Sequence, residues 1–224
     1  MLDSIVEIFT EYGDLLLEGT QETLAMLFIS TAIAYVFGTF LGVVLYLTKP
    51  GGLWPLRVLN AVLGWVVNIG RSLPFIILLV SIIPFTRAIA GTIIGVRGVI
   101  VPLVVSASPF VARMIEQSLE EVSGDAIEAA ESCGASIPRI VFSTLLPEAL
   151  PSIIRGVAVT LIAVLGYTAM AGAVGAGGLG DIAIRYGYYR YQRDFMVVTI
   201  ILLVILVQII QSVCDFIARR VDHR

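Results

Sequence analysis

Charge is scarce in this 224-residue chain: 14% of its residues are Asp, Glu, Lys or Arg, against 58% that are hydrophobic. A soluble domain usually carries about 25% charged residues, so a water-facing globule is excluded as the main body of the chain. The scarcity is also concentrated. Leu24–Thr48, Gly156–Gly180 and Phe195–Cys214 contain no charged residue at all. Each is long enough to cross a hydrocarbon core of ~30 Å at a rise of ~1.5 Å per residue. The composition reads as an all-α, polytopic membrane protein in contact with lipid.

Other scarcities exclude specific chemistry. Lys49 is the only lysine and Pro50 follows it, so the G-K-[ST] of a phosphate-binding P-loop cannot occur. The chain is not expected to be an enzyme, and it has no Walker-type ATPase site. His223, in the C-terminal tail, is the sole histidine, which leaves a Ser–His hydrolase without its base. Proton- and sodium-driven carriers use acids or histidines as relays within the membrane, and no Asp or Glu falls in the apolar interior of the spans. Cys133 and Cys214 have no metal-ligand spacing and make no disulfide framework. No metal or cofactor is expected. The largest basic cluster is Arg219, Arg220 and Arg224, too small for a nucleic-acid surface. Residues 1–23 hold Asp3, Glu7, Glu11, Asp14, Glu18 and Glu22 but no basic residue, unlike a signal peptide, which begins with positive charge.

What is present organises into five expected helices: 24–48, 58–84, 93–115, 153–178 and 195–217. The second contains Arg71, Asn60, Asn68 and a mid-segment Pro74. Five spans put the termini on opposite sides, and loop charge sets the orientation. One side holds Lys49, Arg57, Arg113, Arg139, Arg155, Arg219, Arg220 and Arg224. The other holds Arg87, Arg97, Arg185, Arg190 and Arg193. Eight against five places the N-terminus outside and the C-terminus in the cytoplasm. The whole of 1–224 then reads as one transmembrane domain, with 1–23 an external tail, 116–152 a cytoplasmic loop and 218–224 a cytoplasmic tail.

Gly175, Gly177 and Gly180 fit G-x-G-x-x-G, the fingerprint of a dinucleotide-binding turn. That turn requires a strand before it and a helix after it in a βαβ unit, which cannot span lipid. The glycines instead close a charge-free run. Ala169 and Ala173, Ala171 and Gly175, and Gly172 and Ala176 are small-xxx-small pairs that allow close helix approach. Residues 172–181 are expected to be a packing surface and a helix terminus.

Glu116–Ser152 is unlike its surroundings: it carries seven of the seventeen acids and a single base, Arg139. Asp125 as N-cap, Glu128 as its capping-box partner and Gly134 at C′ punctuate a two-turn helix, Ala126 to Cys133. Ala126, Ala129, Ala130 and Cys133 share i, i+3, i+4, i+7 spacing, giving one smooth face. Ser136 is placed to cap a second short helix that stops before Pro147. The smooth face suits docking into a groove of another protein, or packing on the chain's own membrane domain. Physical chemistry alone does not choose between them.

The run Glu128-Ala129-Ala130, three residues, Gly134, nine residues, then Thr144-Leu145-Leu146-Pro147 resembles the EAA motif of bacterial ABC importer permeases, E-A-A, three residues, Gly, nine residues, I-x-L-P. Thr144 stands where that pattern has Ile. The resemblance implies that this loop is a coupling helix, with Asp125, Ala126, Glu128, Ala129, Ala130, Cys133 and Gly134 at the contact with an ATP-binding subunit. Arg71-Ser-Leu-Pro-Phe-Ile-Ile-Leu-Leu, Ile83-Pro-Phe-Thr-Arg87 and Gly166-Tyr-Thr-Ala-Met-Ala-Gly-Ala-Val-Gly-Ala-Gly-Gly-Leu-Gly180 are similar to the methionine importer permeases. That resemblance implies a homodimer in the bacterial inner membrane and two copies of the ABC ATP-binding subunit. It also implies a periplasmic or lipoprotein substrate-binding protein and a small amino acid, methionine, as cargo. Two readings compete with it: an independent ion-coupled carrier or channel, and an ABC permease for another small solute.

Three residues within the spans are candidates for the translocation path or gate. Arg71 lies about 20 Å along its helix from Val58, where an unpaired charge costs at least ~2.5 kcal/mol. Its guanidinium either meets a substrate carboxylate or the gate, or bonds carbonyls freed by Pro74. Tyr167 and Met170 sit among small residues, and a flexible thioether suits either an irregular constriction or core filling. Gln208 and Gln211 are expected to hydrogen-bond between helices.

Overall fold

The computed structural model describes residues 8–221. Asp3 and Glu7 of the acidic stretch, and His223 and Arg224 of the tail, lie outside them. Among the described residues every regular element is helical: α1 Gly13–Thr48, α2 Arg57–Ser72, α3 Phe75–Ser81, α4 Ile83–Ala90, α5 Gly95–Glu120, α6 Gly124–Ser132, α7 Ile137–Ile140, α8 Leu146–Gly172, α9 Gly178–Ile182 and α10 Arg193–Val221. A wide π-turn at Val141–Leu145 joins α7 to α8, so 137–172 is one continuous helical run. Four runs are long and apolar enough to cross a membrane, or five if α2 and α3 form one interrupted span.

The expected boundaries shift in five places, each with a physical reason. The first helix begins at Gly13 rather than near 24, so Asp14, Glu18 and Glu22 are helical. An acid in the first turn of a helix interacts favourably with its dipole. The second expected span is not continuous. Pro74 disfavours helix at Leu73 and itself takes φ −59°, ψ 132°; the chain restarts as α3 and then α4. The third helix runs to Glu120 and takes the beginning of the supposed loop into itself. The helix capped by Ser136 does not stop before Pro147. The π-turn carries the chain through, with Leu146 N–H reaching the Val141 carbonyl, which gives the proline ring room. At its other end the same run stops at Gly172, not 178.

Cα packing divides the chain into two compact units. The first comprises residues up to Ile33, Leu73–Ser106 and Leu161–Gln211. Its core gathers Ile8, Leu16, Leu179, Ile182, Phe195 and Val198. Tyr12 and Tyr186 each bring a ring to 5.0 Å from that of Phe195. The second unit comprises Ala34–Ser72, Ala107–Thr160 and the residues from Ser212 onward. Leu45, Val67 and Ala112 form its buried centre. Gly38 and Gly42 sit so close to Val111, Ala112 and Ile115 that a Cβ on either would collide, the small-xxx-small device for backbone approach in a membrane. Asn60 donates its amide to the Leu45 carbonyl at 2.8 Å and to Thr48 at 3.2 Å. Large apolar side chains such as Val36, Phe40 and Trp65 remain exposed, as expected of surfaces whose solvent is hydrocarbon.

Candidate functional site

The acidic loop forms its helix, α6, but the cap is Ser123 and not Asp125. Ser123 is extended (φ −63°, ψ 138°) and makes no side-chain cap hydrogen bond. Asp125 falls in the first turn, where its charge suits the helix dipole. The helix therefore starts two residues earlier than expected, and Glu128 has no capping box to complete.

The C-terminal end follows the spacing. Gly134 takes φ +75°, a conformation that costs a side-chain-bearing residue energy. Gly134 N–H donates to the Glu131 carbonyl at 2.8 Å, and Ala135 N–H to that of Ala130 at 3.1 Å. These paired bonds are a Schellman closure. They end α6 abruptly and turn the chain into α7, whose N-cap is Ser136.

No residue of α6 is buried. Asp125, Glu128, Ala129, Glu131, Ser132 and Cys133 are exposed, while Ala126, Ile127 and Ala130 are half-buried. The smooth face is thus divided: Ala129 and Cys133 look outward, and Ala126 and Ala130 turn inward with Ile127. The helix packs against α7 and the Val141–Leu145 turn, where Ile140, Val141 and Leu145 are buried. It is a small, outward-facing knob seated on the first turns of the 137–172 run. Its exposed side carries three carboxylates with no lysine or arginine between Gly124 and Gly134.

Ionic contacts brace the second unit further. Arg113, on α5, forks between two partners: Nη1 lies 2.6 Å from Glu116 Oε2 and Nη2 donates to Asn68 Oδ1 at 3.0 Å. One turn beyond Glu116, Glu120 meets Lys49 Nζ at 3.3 Å. Glu116 is only 8% exposed, so its charge depends on Arg113. Sequence reading misses this pairing, because it places Arg113 at the end of the third expected helix and Glu116 at the start of the loop. The legible signal was their i, i+3, i+7 spacing with Glu120.

The gate candidates fall in different places. Tyr167 and Met170 lie at i, i+3 spacing on α8 in the first unit. The Tyr167 ring stacks on Phe75, with centroids 4.9 Å apart and planes inclined by 11°, and Met170 is half exposed. Arg71 lies in the second unit, exposed in the last turn of α2. Its guanidinium makes no hydrogen bond to a backbone carbonyl among the described residues, so of its two readings the one in which it bonds carbonyls freed by Pro74 is not seen. Gln208 and Gln211 are exposed and make no side-chain hydrogen bond among the described residues. The expected interhelical bonds are not made among the described residues, although Gln208 borders a groove with Ile162, Leu165 and Ala169 of α8.

The glycine-rich turn is a helix terminus and a close-packed surface. A Cβ on Gly180 would lie 2.5 Å from the Ala169 carbonyl oxygen, and one on Gly172 would strike the Asp181 backbone. No strand precedes it, and no βαβ unit exists among the described residues.

The comparisons with known proteins agree with this geometry. A family model described as the binding-protein-dependent transport system inner membrane component matches residues 34–224. The probable D-methionine transport system permease protein MetI of Vibrio cholerae is 52% identical over 222 residues, covering 99% of each chain. The methionine import system permease protein MetP of Bacillus subtilis is 44% identical over 180 residues, covering 80% of this chain and 81% of that one. Among solved structures, a chain of the MetNI methionine ABC transporter in an inward-facing conformation superposes with a TM-score of 0.92. It is 50% identical and covers 93% of this chain and 97% of that one. A chain of an amino acid ABC transporter crystallised with histidines shares the fold alone, at 18% identity and a TM-score of 0.78.

Proposed function

The chain belongs to the binding-protein-dependent transport system inner membrane components, and on that premise we propose that it is the methionine-conducting permease of an ATP-driven importer. It is a multi-pass inner-membrane subunit without its own ATPase site; hydrolysis belongs to a separate partner. Two copies of this chain enclose the path, two ATP-binding subunits drive it, and a substrate-binding protein delivers the amino acid. The N-terminus faces outward and the C-terminus the cytoplasm, in keeping with the eight-to-five bias in loop cations.

The observation that carries this reading is the α6 knob. A helix with no buried residue, closed by a Schellman turn and bearing Glu128-Ala129-Ala130 and Gly134, is braced on the start of a 36-residue helical run. A helix projecting this way has surface free for a partner, and its seat gives that partner mechanical purchase. When ATP draws the two ATPase subunits together, the two knobs move with them. Rigid-body rotation then alternates the exposure of the path. Tyr167, Met170 and Arg71 are the side chains we assign to that path. Asp125, Ala126, Glu128, Ala129, Ala130, Cys133 and Gly134 are those we assign to the docking surface.

Reconstitution tests the proposal. Proteoliposomes holding this chain, its ATP-binding subunit and its receptor should accumulate labelled methionine only with ATP inside the compartment that holds the nucleotide sites. Vesicles holding this chain alone should show no flux. Methionine flux through the lone chain would instead establish an independent carrier or channel. ATP-dependent uptake of a different solute, with methionine ignored, would overturn the cargo.

A further inference from the structure

The G-x-G-x-x-G stretch, left without a ligand by the fold, has a partner inside the chain. Gly177 and Gly178 both adopt positive φ, +84° and +77°, which aims two consecutive backbone N–H groups at α1. Glu22 Oε2 accepts from Gly178 N–H at 2.6 Å, and Thr23 Oγ1 accepts from Leu179 N–H at 2.9 Å. The Thr23 hydroxyl also donates to the Gly19 carbonyl at 2.8 Å, so it is used in both directions. A Cβ on Gly177 would lie 2.5 Å from Glu22 Oε2, and one on Gly178 would lie 2.7 Å from Thr23 Oγ1. Gly19, Glu22, Thr23 and Met26 follow i, i+3, i+4, i+7 spacing, so a single stripe of α1 receives the turn.

A second tie fixes the same turn. Gly95 N–H donates to the Gly175 carbonyl at 3.1 Å. The segment between α8 and α9 is thus held by groups from α1 and from the start of α5, all within the first unit. The helix that ends there carries Tyr167 and Met170, and Met170 is only five residues before Gly175. A short turn could close with backbone bonds alone. This one uses a carboxylate, a charge-assisted acceptor that is roughly twice as strong as a neutral one, from a residue 156 positions away.

We propose that Glu22 and Thr23 are positioning residues of the transport cycle: their clamp on Gly178 and Leu179 fixes the far end of the Tyr167–Met170 helix while its near end is driven by α6. The inference rests on the importer reading above. Without the clamp, motion delivered at Ile137 moves the end of α8 instead of rearranging the side chains along it, and ATP is spent without transport.

The assembled complex of this chain, its ATP-binding subunit and its receptor, in proteoliposomes, provides the test. Glu22→Ala should lower methionine imported per ATP hydrolysed by at least about fivefold, with assembly and ATPase rate kept. Glu22→Gln retains an acceptor oxygen and should restore most of that ratio. Thr23→Val, close in shape, should give an intermediate loss. Amide hydrogen exchange of the Gly178–Leu179 segment should quicken about tenfold in Glu22→Ala. The proposal is overturned if Glu22→Ala imports as much methionine per ATP as the unaltered chain, or if Glu22→Gln is as impaired as Glu22→Ala. Should Glu22→Ala fail to assemble, Thr23→Val decides: an unchanged ratio overturns the clamp. If the unaltered complex imports no methionine, the cargo reading fails. Hydrogen exchange then decides the clamp, with unchanged protection in both variants overturning it.

Discussion

The ring of Phe75 lies flat against that of Tyr167, 4.9 Å between centroids, at the first residue after the Pro74 break. Pro74 cannot donate an N–H to a preceding turn, so the α2–α3 interruption depends on side-chain contacts to hold its restart in place. An aromatic pair of this kind contributes about 0.5–1.5 kcal/mol beyond area burial. Tyr167→Phe should leave thermal stability in detergent nearly unchanged. Tyr167→Ala should lower it by more than the stacking contribution, because α3 loses its anchor; equal melting of the two variants would show that the stack does not hold the break.

Arg113 and Glu116 give a second prediction. Removing one partner of a largely buried ion pair leaves an uncompensated charge. Arg113→Ala should destabilise the chain by at least about 1–3 kcal/mol, the range for a buried polar group left unsatisfied, which a charge exceeds. Glu116→Gln, which keeps an acceptor for the guanidinium, should cost less. Chemical denaturation of the two variants in matched detergent checks the order.

At the knob, Glu128→Lys and Gly134→Asp should uncouple ATP hydrolysis from uptake while the membrane helices remain folded. The first reverses charge on the exposed side of α6. The second places a Cβ at φ +75°, in the left-handed region that costs about 1–2 kcal/mol for most L-residues. Gly134→Ala should therefore reproduce part of the second effect without any charge. Uptake and ATPase rates, measured in the same vesicles, separate uncoupling from loss of assembly.

Cys133 is exposed and Cys214 buried, so the native thiols report on docking without further substitution. A membrane-impermeant maleimide applied to purified chain should modify Cys133 much faster than Cys214. Adding the ATP-binding subunit should protect Cys133. Equal labelling with and without that subunit would move the docking surface elsewhere.

The sequence was legible where physical chemistry acts locally. Charge-free windows gave the membrane helices, Gly134 gave the end of α6, and the glycine stretch read correctly as a terminus because no strand could precede it. It was illegible where distant residues decide. Glu22 looks like the last acid of a tail, yet its carboxylate caps a turn 156 residues away. Asn68 and Glu116 share one guanidinium although 48 positions separate them by number. Pro147 looked like a helix stop because a widened turn that accommodates a proline has no simple residue pattern. Asp125 and Ser123 are both good caps, and only the backbone at Gly124 chose between them. For the docking and gate residues the structure supplies position and exposure, and the experiments above assign their roles.

The widened turn at Val141–Leu145 also sets a phase. One extra residue in a helix of 3.6 per turn rotates everything after it by about 100°. The azimuth of residues 146–160, the part of α8 within the second unit, is therefore indexed at the turn, beside the knob. Deleting a single residue there would leave composition and hydropathy almost untouched, yet swing those side chains onto a different flank. A chain of this kind tolerates substitution at the turn far better than any change in its count of residues.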